Sequence, residues 1–192
     1  MTRLLGKTGF TLIAIALAGA GCCAHARKAP CTGTPPAAAT APTHAVAVLH
    51  PTAGQQITGL VDFRTAGERV TIVAQLSGLS PKTSHGFHVH ELGDCSAPDA
   101  ASAGGHFNPT GHSHAGPHSE MRHAGDLGNL ESDAHGNARL EIAVDGITLD
   151  AKAAGVLGRS VIVHAQPDDL TSHPGGNAGA RIGCGVIGIA KP

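Results

Sequence analysis

Apolar and polar residues alternate with a period of two along much of this chain. In Arg69-Val70-Thr71-Ile72-Val73-Ala74-Gln75-Leu76 the residues Val70, Ile72, Ala74 and Leu76 fall on one side, the pattern of a strand with one face buried and the other in water. Short apolar runs recur at Ala45 to Leu49, Ile57 to Phe63, Gly86 to Glu91, Ala138 to Val144, Ser160 to Gln166 and Cys184 to Ala190. Turn formers part many of them, among them Pro51 to Gln56, Asp133-Ala134-His135-Gly136-Asn137 and Asp145-Gly146. No helical period competes. The pattern predicts an all-β domain of about eight antiparallel strands, a sandwich or barrel with scarce helix. Gly93 to Leu127 and Pro167 to Ile182 are too long and too polar for hairpin turns, and both are rich in His, Gly, Asp and Pro. Long ordered loops in a compact domain are usually functional.

Ahead of the first strand the character of the chain changes. Residues 1–26 read as an export signal, with Arg3 and Lys7 in a basic start, an apolar run from Phe10 to Ala20, and small residues before a cut. The run is too short to span a bilayer, which takes about 20 apolar residues in a helix. Two cuts compete. Ala24-His25-Ala26 fits cleavage after Ala26, while Cys22 or Cys23 after Leu17-Ala18-Gly19-Ala20-Gly21 fits a lipoprotein signal ending before either cysteine. Residues 27–43 form an Ala- and Pro-rich linker that cannot bury enough apolar surface to fold. The domain is expected over 44–192, in a periplasmic or cell-envelope protein with or without a lipid anchor. Export permits a disulfide, and Cys95 and Cys184 lie in segments that look folded, so those two are expected to pair. Cys31 falls in the linker.

Composition narrows the chemistry. The 192 residues suit one core, and an apolar share of 41% with four Phe and no Trp or Tyr makes that core aliphatic. Thirteen Lys plus Arg against fourteen Asp plus Glu leave no basic footprint for nucleic acid and no acidic tail. Fourteen His are the outlier, and they point to metal.

His88-Val89-His90 lies in an expected strand, where residues two apart share a face and two imidazoles can converge on one ion. His106, His114, His123 and Asp126 then offer four donors within 21 residues of loop. Imidazole and carboxylate suit zinc, and a closed four-coordinate site can order a segment of little hydrophobic content. His164 ends the run Val161-Ile162-Val163 and can deliver a further imidazole from another strand. A solvated metal-buffering tract is the plain alternative.

Gly86-Phe87-His88-Val89-His90-Glu91, Gly105-His106-Phe107-Asn108-Pro109, Arg122 to Asn129, Gly176-Asn177-Ala178-Gly179-Ala180-Arg181 and Cys184 to Gly188 together resemble the copper,zinc superoxide dismutases, in the family's order across residues 45 to 190. The resemblance implies an eight-stranded antiparallel Greek-key β-sandwich or barrel with two long functional loops, and one copper and one zinc per subunit. It makes His88, His90, His106 and His164 the copper ligands and His106, His114, His123 and Asp126 the zinc ligands, with His106 bridging. An all-imidazole set suits copper, and the set with a carboxylate suits zinc. His112 and His118 fall outside the pattern, although His112 competes with His114. Asp168 matches an aspartate that orients one histidine of each metal. His85 matches a framework histidine.

The reaction so implied converts two superoxide anions and two protons to dioxygen and hydrogen peroxide by copper redox cycling, with zinc holding His106 and the loop while His106 takes and returns a proton. Arg181 is expected to guide the anion by charge-assisted hydrogen bonds. Two departures stand out. Only 17 residues separate His164 from Arg181, and Thr171-Ser172-His173-Pro174-Gly175 lacks the Lys and Glu that the eukaryotic enzymes use for steering, so two alternatives stand: a weaker ionic-strength dependence of the rate, or steering by basic residues elsewhere such as Lys82 or Arg122. The spacing from Cys95 to His106 is longer than in the eukaryotic enzymes and resembles that of bacterial members. Superoxide is the implied substrate, a homodimer one of the assemblies open to the chain, and defence against extracytoplasmic superoxide its expected role. The rival is an exported copper or zinc carrier without turnover, whose mark is a lost ligand or a lost arginine. All seven ligands and Arg181 are in place.

Overall fold

The computed structural model describes residues 41–191; the expected signal, most of the linker and Cys31 lie outside them. Eight antiparallel strands follow in chain order: β1 His44–Pro51, β2 Thr58–Ala66, β3 Arg69–Ser77, β4 Ser84–His90, β5 Asp126–Glu131, β6 Ala138–Val144, β7 Ser160–His164 and β8 Arg181–Ile189. The only helical element among the described residues is one 3-10 turn, Ala101–Ala103. Strand order around the sheet is β5-β4-β7-β8-β1-β2-β3-β6, and a single bridge between Ser132 and Ala138 links the two outer strands, so the barrel nearly closes. The all-β, eight-stranded expectation is met. β5 is the strand that no sequence run announced, because it begins on Asp126 inside the motif read as loop.

Alternation fills the interior. Val70, Ile72, Ala74 and Leu76 of β3 point inward, as do Ala45, Ala47 and Leu49 of β1, against Phe63, Phe87, Val161 and Ile187. β1 and β3 turn their other faces to water. β4 and β7 do not: every residue from His85 to His90 and from Ser160 to His164 is buried. Phe87, Val89, Val161 and Val163 join the core, which leaves His88, His90, Ile162 and His164 on the outer face of the wall. That face is covered by the two long loops, 91–125 and 165–180. A second small cluster of Ala100, Ala103, Ile162 and Cys184, flanked by Cys95, packs one loop onto it, and the Cys95–Cys184 disulfide, with Cα atoms 5.8 Å apart, ties that loop to β8.

Candidate metal centre

Between the wall and its loops lie two groups of donors, each with its ligand atoms within 4.8 Å of one another: His88, His90, His106 and His164, and His106, His114, His123 and Asp126. His106 belongs to both. It comes from the loop, in a one-residue bridge to His90, and its Nδ1 lies 2.9 Å from Asp126 Oδ1 while its Nε2 faces away from the second group toward Gly175.

Framework acceptors orient the rings. His88 donates from Nε2 to Asp168 Oδ2 at 2.8 Å, His114 from Nε2 to Asp168 Oδ1 at 2.9 Å, His90 from Nδ1 to the Gly104 carbonyl at 2.9 Å, and His164 from Nδ1 to the Gly179 carbonyl at 3.1 Å. In His88, His90 and His164 the bond fixes a tautomer whose other nitrogen presents a lone pair to the group. The Nδ1 atoms of His88 and His114, one from each group, are buried with no hydrogen-bond partner. His114 Nδ1 stands 3.0 Å from Asp126 Oδ1 without the angle of a hydrogen bond. Buried ring nitrogens left without a hydrogen bond are costly unless an ion occupies the space they face.

Asp126 divides its oxygens. Oδ2 accepts the N–H groups of Ala115 and His123 at 3.1 and 3.0 Å, and Oδ1 faces His106, His114 and His123 at 2.9, 3.0 and 3.3 Å. Ligands about 2.0–2.1 Å from a tetrahedral ion lie about 3.3 Å from one another, so this spacing fits zinc.

Electrostatics agree with the two donor sets. Burial, helped by the neighbouring imidazoles, pushes His88 down to about 3, His90 to about 2 and His164 to about 4. Those three rings are neutral and ready to ligate. His114 goes the other way: burial opposes its charge, but Asp126 and Asp168 override it and lift the ring to about 9. Burial also opposes both carboxylates, yet the hydrogen bond from His106 and the close His114 ring beside Asp126, and the hydrogen bonds from His114 and His88 to Asp168, hold them well below the usual carboxylate range. The second group thus holds an ion pair, the Asp126 carboxylate beside the His114 imidazolium.

A cavity of about 210 Å³ opens on the first group, lined by His90, His106, His164, Arg181, Pro174 and Gly175 among others. Arg181 is held by the carbonyls of Ala100 and Gly104, the latter at 2.6 Å and shared with His90. Gly175 roofs the cavity: a Cβ there would stand 2.9 Å from His106 Nε2.

The sequence-family profile of copper/zinc superoxide dismutase (SODC) matches residues 57–187. The chain belongs to that family. A superoxide dismutase [Cu-Zn] of Paramecium bursaria Chlorella virus 1 is 44% identical over 158 residues, covering 79% of this chain and 81% of the relative. The crystal structure of the clock protein EA4 superposes with a TM-score of 0.72 at 39% identity, over 80% of this chain and 98% of that one. This superoxide dismutase converts superoxide to dioxygen and hydrogen peroxide, and its cofactors are copper and zinc.

Several contacts of the centre were not foreseen. The Asn129 side chain clamps the backbone of Asp168, accepting its N–H at 2.7 Å and donating to its carbonyl at 2.9 Å. Arg122, expected among the steering cations, is 5% exposed and instead bonds the carbonyls of Pro117, His123, Ala124 and Asp145, bracing the loop. Lys82 remains exposed. His112 is hydrogen-bonded through its backbone to Asn108, and neither it nor His118 joins a donor group. His85 is buried and donates to the His164 carbonyl at 2.8 Å, a framework role.

Proposed function

We propose that His88, His90, His106 and His164 hold copper, that His106, His114, His123 and Asp126 hold zinc, and that His106 and Arg181 are the groups acting on superoxide. The carrying observation is the position of His106, with one nitrogen turned to each donor group and a shared cavity wall with Arg181. Copper supplies the one-electron oxidation and reduction, and zinc a fixed positive charge that does not change oxidation state. Arg181, pinned by two carbonyls, keeps outward donors for a small anion at the cavity mouth. His106 holds and releases a proton at Nε2, since no framework acceptor claims that atom. The second proton enters from water through the cavity. Two superoxide anions and two protons thereby give one dioxygen and one hydrogen peroxide. The Gly175 roof and the buried rings limit that cavity to small solutes.

We further propose a bacterial exported type acting in the periplasm or cell envelope on superoxide arising outside the cytoplasm. The basic and apolar tract of residues 1–26 and the disulfide support an oxidising compartment. Cys22 and Cys23 are the candidate lipid anchors. A homodimer is supported by the exposed Val48 and Leu60, which pair across β1 and β2, with exposed Val186 on the adjoining β8.

The test is superoxide dismutation by the copper- and zinc-loaded protein beside H106A and R181A. Collapse in H106A, by about 10²-fold or more, with a smaller fall in R181A is expected. Parental turnover in H106A overturns the assignment. Recovery in the membrane fraction that survives replacement of both Cys22 and Cys23 by Ser overturns the lipid anchor.

A further inference from the structure

His106 has the least direct support of any ring in its first group. His88, His90 and His164 each donate to a framework oxygen, while both nitrogens of His106 face donor groups. Its direction is therefore set by its backbone, and that backbone is braced on both sides. After it, Phe107 sits in a closed ring of three main-chain bonds: Phe107 N–H to Val89 O at 2.8 Å, Val89 N–H to Gly125 O at 2.9 Å, and Gly125 N–H to Phe107 O at 2.9 Å. Val89 lies between His88 and His90, and Gly125 next to Asp126. A Cβ on Gly125 would run into the Val89 carbonyl, so only glycine closes the ring. Before His106, Gly105 gives its carbonyl to the Glu91 N–H at 2.9 Å and its own N–H to Glu91 Oε1 at 3.0 Å.

One side chain reaches both braces. The Arg159 guanidinium lies 3.7 Å from the centre of the buried Phe107 ring, and its Nη1 donates to the Glu91 carbonyl at 2.7 Å, with Nε on the Gly155 carbonyl at 2.7 Å. We infer that Arg159 is a positioning residue for the shared imidazole, holding His106 through Phe107 on one side and through Glu91 on the other. It touches neither donor group and acts through main-chain geometry. The inference rests on the reading of His106 as the bridge.

The test uses the full protein loaded with copper and with cobalt in place of zinc. Two such ions joined by one imidazolate couple magnetically, and the copper resonance is silenced. A silent parent supports the bridge; a visible copper signal in the parent overturns the bridge itself, and this inference with it. With a silent parent, R159Q is expected to raise the uncoupled copper signal and to lower turnover per copper, each by roughly tenfold. Should R159Q not fold, F107L reads the same contact from the other partner and is expected to give the same signature. R159K, which keeps the charge but not the planar fork, should recover only part of the coupling. A folded R159Q or F107L that melts earlier yet stays silent with parental turnover makes the residue a structural brace only and overturns the proposal.

Discussion

With the ligands assigned as proposed, the two halves of the metal centre are built by different means. His88, His90 and His164 stand on β4 and β7, strands whose other face is part of the barrel core. His114 and His123 stand on a loop, with Asp126 at the very start of β5. The copper half therefore inherits its geometry from hydrophobic packing that needs no ion. The zinc half has few apolar residues of its own; its order depends on donors that repel or orphan one another until an ion binds. The lesson is one of preorganisation: one half is placed by the fold, and the other completes the fold when loaded.

The largest effect should come from removing zinc rather than copper. Structural zinc sites bind with roughly 10–16 kcal/mol at neutral pH, part of which orders the surrounding chain. In the metal-free protein, hydrogen exchange at the Ala115 and His123 amides, which donate to Asp126, should be fast, while β4 and β7 stay protected. Zinc alone should restore the loop amides and copper alone should not. Full protection of those amides without metal would erase the contrast between the halves.

The disulfide ranks next. Cys95 and Cys184 are 89 residues apart, and in the chain-entropy model closing such a loop stabilises by about 4–5 kcal/mol. Its local work is on the copper half, because it anchors the segment whose Ala100 and Gly104 carbonyls hold Arg181. C95S should therefore lower the unfolding midpoint and also cut turnover, leaving the zinc-loop amides protected in the zinc-loaded protein. Loss of zinc-loop protection in C95S would show the halves to be less separable than their construction implies.

Asp168 joins what the fold otherwise keeps apart, with one oxygen on His88 and the other on His114. D168N keeps the shape but cannot accept at both oxygens, so affinity for both metals should fall, each by about 10- to 100-fold. A fall for one metal only, read by competition with a chelator, would assign Asp168 to a single half.

How much of this is legible in the sequence follows the same division. Period-two runs mark seven strands, and the His88-Val89-His90 spacing places two imidazoles on one face without any tertiary knowledge. β5 escapes because it is buried almost throughout, with Leu127 and Leu130 in the core and Asp126 in the metal centre, so Asp126 to Asn129 shows no alternation and reads as motif. Arg122 reads as a surface cation because nothing local says that four carbonyls will converge on it. The Asn129 clamp on Asp168 spans 39 residues, and the Gly175 roof approaches a histidine far back in the chain; both are fixed by how loops lie over the wall. Sequence reveals what a strand's own period dictates, and long-range loop packing only once it is seen.

The sign of the pH dependence also separates the halves. In the metal-free protein His88, His90 and His164 titrate near 3, 2 and 4, all below the unfolded value of about 6.5. The unfolded chain then binds protons that the folded chain refuses, so the copper half loses stability as pH falls from about 6.5 toward 4, by at most about 1.4 kcal/mol per pH unit for each ring. His114 titrates near 9, above its unfolded value, so the stability it contributes is fully present below about 6.5 and is lost as pH rises through 9. Urea midpoints of chelator-treated protein between pH 4 and pH 10 should trace a dome with these two limbs. H164Q should make the acid limb shallower by about a third and leave the alkaline limb unchanged, and H114Q should flatten the alkaline limb alone. If either substitution flattened both limbs, the titrations would belong to one coupled cluster, and the division of the centre into a fold-placed half and an ion-placed half would fail at the level of charge.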